Sequence, residues 1–174
     1  MGDPPTHEKR LPELSDLYRE VILDHYRRPR GRKELACPDV TEEGQNPLCG
    51  DEVRVSLQFE GDVVKDVAVT GRGCAISTAA GSMLAELLPG KSREEAELLA
   101  EFVRRMMRGE VDPGELDVGD LDALAGVRQF PVRVKCALLA WVTLAEALAS
   151  WRAKKEAELS GTQPCSQEKR SSSG

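Results

Sequence analysis

Residues 53 to 60, VRVSLQFE, alternate without interruption: Val53, Val55, Leu57 and Phe59 are apolar, and Arg54, Ser56, Gln58 and Glu60 are polar. Successive side chains of an extended strand point to opposite faces, so this run makes a sheet surface with one face that has to be covered. Gly61-Asp62 then reads as a tight hairpin loop, and Val63 to Thr70 as the returning strand. A two-stranded hairpin is marginal by itself in water. The covering layer must come from the rest of the chain.

That remainder reads as helices. Leu14, Leu17, Tyr18, Val21, Ile22 and Tyr26 form an apolar stripe at helical spacing that stops before Pro29, and a loop is expected from there to Gly50. After the hairpin, Gly71 and Gly73 release the chain from the sheet into a helix that begins near Cys74 and ends at Pro89-Gly90. Ser92-Arg93-Glu94-Glu95 is a capping box, followed by Ala96, Leu99, Ala100, Val103, Met106 and Met107 on one helical face. Residues 109–130 are rich in Gly, Asp and Pro and read as a loop with one helical turn around Leu121 to Leu124. Pro131 opens a last helix, Val132 to about Lys155. The expectation is an α+β fold in which a small antiparallel β-sheet packs against helices, with an N-terminal helix and a long C-terminal helix. One domain is expected over residues 13–153, between disordered tails at 1–12 and 154–174.

A chain of 174 residues can bury one core without staples. Its net charge of -6 and pI near 5.1 argue against nucleic acid as the main partner, because phosphate binding needs a basic surface. The basic run from Arg27 to Lys33 is the local exception, read either as a solvated charge run or as a dock for an acidic protein. A polar N-terminus and the lack of a long apolar stretch lead us to expect a cytoplasmic protein with no membrane segment. In a reducing compartment the five cysteines, at 37, 49, 74, 136 and 165, are expected to be free, metal-bound or catalytic rather than paired. Cys165 in the tail reads as an exposed thiol, and Cys37 has no evident partner.

Three of these cysteines sit at the ends of elements: Cys49 in the turn NPLCGD, Cys74 after the hairpin and Cys136 at the start of the last helix. If the hairpin folds beside that helix they could converge, and Asp51 would join them. Thiolates are nucleophiles and soft metal ligands, while Arg72, Arg133 and Lys135 lie close enough in sequence to offset their charge. No CxxC pair is present, so spacing alone leaves two readings open, a metal cluster or scattered reduced core cysteines.

LYREVILDHYRRPRG (Leu17 to Gly31), NPLCGD (Asn46 to Asp51), GRGCAIS (Gly71 to Ser77) and RVKCALLAW (Arg133 to Trp141), in this order, resemble the IscU/NifU-N family of iron–sulfur cluster assembly proteins. The similarity runs from about Leu14 to Trp151. Within the family the chain is similar to the SufU branch, because Lys135 stands where the scaffold branch has histidine and because the segment between Cys74 and Cys136 is long. The chaperone-recognition motif of the scaffold branch is replaced by Gln129-Phe130-Pro131-Val132-Arg133.

The resemblance implies a zinc ion held by Cys49, Asp51, Cys74 and Cys136, and a sulfurtransferase role in which Cys49 accepts persulfide sulfur from a SufS-type cysteine desulfurase. Other iron–sulfur assembly proteins and apo-protein acceptors are the further partners it implies. Its alternative is a scaffold binding iron or a 2Fe–2S cluster on the same residues, and a second alternative is a zinc that only stabilises the fold. Arg133 is expected to contact the desulfurase or balance the charge of the site. A cysteine hydrolase would need His25 as its base, and His25 reads as a partly exposed residue of the N-terminal helix.

Overall fold

The computed structural model describes residues 6–159, with side chains from residue 16 onward. In chain order the elements are α1 (Thr6–Arg27), β1 (Val40–Asn46), β2 (Asp51–Glu60), β3 (Val63–Arg72), α2 (Ala75–Leu87), α3 (Arg93–Met107), a 3-10 helix (Gly119–Gln129) and α4 (Pro131–Glu158). The expected α+β architecture is present: an antiparallel sheet of order β1-β2-β3 with helices packed on it, an N-terminal helix and a long C-terminal one. The tails beyond these limits, with Cys165, lie outside the described residues.

The β2–β3 hairpin follows from its alternation. Val55 and Leu57 are fully buried and Val53 nearly so, and they pair across the ladder with Val69, Val67 and Gly71. A register shift at Gln58/Phe59 absorbs an extra residue before the Gly61-Asp62 turn, where Gly61 takes a φ of +65°. Phe59, paired with Val64 beyond this shift, stacks on Trp151 of α4 with ring centroids 4.0 Å apart.

β1 occupies part of what reads in the sequence as a loop. Its inward positions are Val40, Glu42, Gly44 and Asn46, so the strand alternates in burial without alternating in hydropathy. The cover explains why this works. α4 crosses β1, Ser150 Oγ donates to Glu42 at 2.6 Å, and Gly44 lies so close to Thr143 that a Cβ there would meet its hydroxyl at 2.1 Å. Further along α4, Lys154 donates to the Asp39 carbonyl at 2.8 Å, tying the end of the helix to the entry of the sheet.

α3 carries the capping box read from the sequence. Ser92 Oγ accepts from the Glu95 N–H, and Glu95 accepts from the Ser92 N–H. Its apolar face joins α2, α4 and the 3-10 helix in one core with Leu84, Leu121, Leu124, Trp141, Leu144 and Leu148. The 3-10 helix is longer than the single turn expected. Its tighter winding gives Leu121, Ala123, Leu124, Ala125 and Val127 no 3.6-residue rhythm, although all five are buried.

His25 is a correction. It is fully buried, not partly exposed. Its Nε2 donates to Asp120 at 2.9 Å and its Nδ1 lies 2.7 Å from Ser82 Oγ, while that hydroxyl also accepts the Arg30 N–H at 2.8 Å. One imidazole therefore joins α1, α2 and the 3-10 helix. The basic run after α1 is likewise engaged by the chain's own acids: Arg28 and Arg30 with Asp24, Arg30 with Glu86, and Lys33 with Asp66. Cys37, in the loop before β1, is disulfide-bonded, so the expectation of unpaired cysteines does not hold for it. Among the described residues no helix is long and apolar enough to cross a membrane.

Candidate metal centre

Cys49 stands on the connection between β1 and β2. Asn46 closes β1 opposite Asp51, and its carbonyl accepts the N–H groups of Cys49 at 3.2 Å and Gly50 at 2.8 Å. Gly50 has a φ of +70°, a conformation in which a Cβ would be strained. The turn is thereby bent by Gly50 and capped by Asn46. Cys49 is half-buried at its rim, next to the exposed Leu48.

Cys74 is the N-cap of α2, and its sulfur accepts the Ser77 N–H at 3.4 Å. The sulfur therefore lies at the positive end of the helix dipole. Asp51, 1% exposed, turns toward the same helix start: Oδ1 accepts the Cys74 N–H at 2.9 Å, and Oδ2 lies 3.8 Å from Cys74 Sγ. Gly73 permits this approach. A Cβ on it would meet Asp51 Oδ1 at 2.8 Å and Ser77 Oγ at 2.3 Å. Gly73→Ala is accordingly expected to push the Asp51 carboxylate aside and weaken metal binding about 10-fold, the low end of the loss seen when a ligand's support is removed. Competition with a chromophoric chelator measures this.

Cys136 enters from α4, whose start is set by Pro131. It is fully buried, with its sulfur 3.4 Å from that of Cys49. Ligand atoms of Cys49, Asp51 and Cys136 lie within 4.8 Å of one another. Cys74 stands beside this set through Asp51 rather than inside it. Burial, first, then hydrogen bonding to Cys49 and Asp51 and the charge of Cys74 push the Cys136 thiol well above its ordinary pKa. The negative charge of Cys74, then that of Cys136, holds the Arg133 guanidinium more firmly protonated than usual. Arg133 thus faces the cluster, lining an open cleft with Cys49, Gly50, Asp51, Arg72, Gly73, Cys74 and Val132.

The two sulfurs and the carboxylate oxygen gathered here, with the Cys74 sulfur beside them, suit a divalent ion such as zinc, and its charge would oppose the mutual repulsion that disfavours their joint ionisation. Lys135 is elsewhere. It is exposed in a groove with Pro47, Leu48, Leu138 and Val142 on the other side of the Cys49 turn. The sequence reading missed the parts that Asn46 and Gly73 play here. The second gathering of possible ligands, His25, Glu86 and Asp120, is already used internally, His25 by Ser82 and Asp120 and Glu86 by Arg30.

The profile of the NifU-like N terminal domain matches residues 17–158. The zinc-dependent sulfurtransferase SufU of Bacillus subtilis is 40% identical over 136 residues, covering 78% of this chain and 92% of that protein. The iron–sulfur cluster assembly scaffold protein IscU of Streptococcus pyogenes is also 40% identical, over 138 residues, 79% of this chain and 86% of that one. Among solved structures, an iron–sulfur cluster assembly scaffold protein for the SUF system (FiSufU) from the thermophile Fervidobacterium islandicum superposes with a TM-score of 0.70 at 36% identity, covering 74% of this chain and 94% of that chain.

Proposed function

This chain belongs to the NifU-like N-terminal domain family, and from that premise we propose that it is a zinc-binding protein of iron–sulfur cluster assembly that accepts persulfide sulfur on Cys49. Cys49, Asp51, Cys74 and Cys136 would hold the ion. The observation that carries the reading is the placement of Cys49, half-buried on a rim over an open cleft with its sulfur 3.4 Å from the buried Cys136. The names of the Bacillus and Streptococcus relatives support the assignment to iron–sulfur assembly and to zinc.

When bound, zinc supplies positive charge that keeps the thiols ionised while occupying the lone pair of Cys49. The chain's own groups do the rest. Asp51 and Cys136 are buried and tied to α2 and α4, so they stay in place, whereas Cys49 rides on a turn open to the cleft. A freed Cys49 thiolate attacks the outer sulfur of a donor persulfide: the new S–S bond forms on Cys49, the donor's S–S bond breaks, and the donor cysteine leaves as thiolate. Arg133 over Cys74 and Cys136 balances the negative charge. The donor that fits is a cysteine desulfurase, of the SufS type if the SufU likeness extends to partners, and the working compartment is the cytoplasm. Exposed Val132, which lines the cleft, and its exposed neighbour in sequence Phe130 two residues before it offer the donor an apolar contact.

A scaffold for a 2Fe–2S cluster would use the same donors, in keeping with the Streptococcus relative's name. The position of Lys135 favours sulfur transfer, because it faces another groove, and His25 among the described residues is committed to Asp120 and Ser82. The test is native mass spectrometry of protein purified without added metal, beside Asp51→Ala. One zinc per chain, lost or weakened at least about 10-fold in the variant, is expected. Iron with sulfide would turn the reading to the scaffold, and a metal-free wild type would overturn both.

A further inference from the structure

Asn46 is no ligand, yet every fixed point of the Cys49 turn passes through it. Its backbone pairs with Asp51 across the β1–β2 ladder, and its carbonyl caps Cys49 and Gly50. The residue is 6% exposed, and its side chain divides its two ends. Oδ1 accepts the Leu48 N–H at 3.3 Å, closing an Asx turn, and Nδ2 points to Cys136 Sγ at 3.9 Å. An amide is the side chain of this shape that can both accept from the turn and donate to a sulfur. Aspartate would keep the first bond and place another negative charge against Cys136, while serine would keep a turn acceptor and fall short of the sulfur.

We propose that Asn46 is a positioning residue that holds the Cys136 sulfur in the ligand set while the turn carrying Cys49 moves. The inference rests on the zinc reading above. Cys49 can leave the set only if the remaining donors keep their places, and Cys136 has no other side-chain donor of the neutral amide kind near its sulfur among the described residues. Asp51 is held by Cys74 and the start of α2, and Arg133 acts from the cleft side. Asn46 acts from the buried side, on the strand end that also anchors the moving turn. Partners that hydrogen-bond a metal ligand set both its orientation and its affinity.

The experiment uses the full chain in three forms, wild type, Asn46→Asp and Asn46→Ser, each loaded with zinc. Zinc affinity is read by chelator competition, the iodoacetamide labelling of Cys136 by peptide mapping, and folding by the thermal midpoint of the metal-free protein. Both variants retain an acceptor for Leu48, so their metal-free midpoints are expected to stay near the wild type. Zinc affinity is expected to fall about 10- to 100-fold, and Cys136 labelling of the loaded protein to rise by about 10-fold or more. Wild-type affinity and labelling in both variants would overturn the proposal, as would losses that track a lowered midpoint, since Asn46 would then only shape the turn. A wild type that takes up no zinc would fail differently, by removing the reading on which the proposal rests.

Discussion

Cys49→Ala is expected to lower sulfur uptake from a cysteine desulfurase at least about 100-fold while leaving the chain folded, because Cys49 is the thiol carried on the exposed turn at the rim of the cleft. Cys136 is fully buried behind Cys49, and Cys74 accepts the Ser77 N–H as the cap of α2. Cys49 itself sits on a turn whose neighbours Leu48 and Gly50 are exposed, so removing its sulfur disturbs little packing. The measurement is mass spectrometry under non-reducing conditions after incubation with desulfurase and cysteine, which reports one added sulfur on wild type and none on the variant. Cys74→Ala, by contrast, removes a helix cap and a candidate ligand together. Undiminished uptake by Cys49→Ala would assign acceptance to another residue.

The second large effect lies away from the cleft. His25→Ala is expected to destabilise the protein by about 2–4 kcal/mol, combining a buried cavity with hydrogen bonds lost at Ser82 and Asp120. For a chain of this size that corresponds to a thermal midpoint lower by about 5–15 °C. His25→Phe separates the two contributions, since it refills the volume without restoring either hydrogen bond. It is expected to recover only part of the loss. Thermal unfolding followed by circular dichroism checks both variants, and a midpoint unchanged in His25→Ala would show that the network adds nothing to stability.

His25 also marks what could be read from the sequence and what could not. It lies four residues after Val21 and three after Ile22, so its place beside them on α1 was legible from spacing, although its full burial was not. Nor were its partners. Ser82 and Asp120 are 57 and 95 residues away, and nothing in local periodicity connects such positions. The β2–β3 hairpin, the cap at Cys74, the capping box of α3 and the start of α4 were legible because each is encoded within a few consecutive residues.

β1 escaped for the opposite reason. Its inward residues Glu42, Gly44 and Asn46 are not apolar, and each makes sense only beside a particular group: Ser150, Thr143 and Cys136 respectively. The 3-10 helix escaped because its buried residues follow a tighter winding than the helical period sought. At the site, spacing between Cys49, Cys74 and Cys136 left clustering undecided, and the family resemblance carried the four-residue set. The approach of Cys136 to Cys49 depends on α4 lying across β1, a tertiary fact. The parts that Asn46 and Gly73 play at the site were not legible, because an amide and a glycine announce no chemistry until their neighbours are in place.

The late position of Cys136 in the chain bears on the order of events during synthesis. A nascent chain that has reached Met107 already contains both sheet-borne donors and the cap of α2, but the fourth donor arrives only with α4. α4 is also the element that covers β1 and completes the core. An incomplete chain would thus display Cys49, Asp51 and Cys74 without the buried sulfur that closes the set, and metal captured at that stage would be held weakly and given up easily. On the proposed reading, firm loading then becomes a report that α4 has been made and has packed across β1.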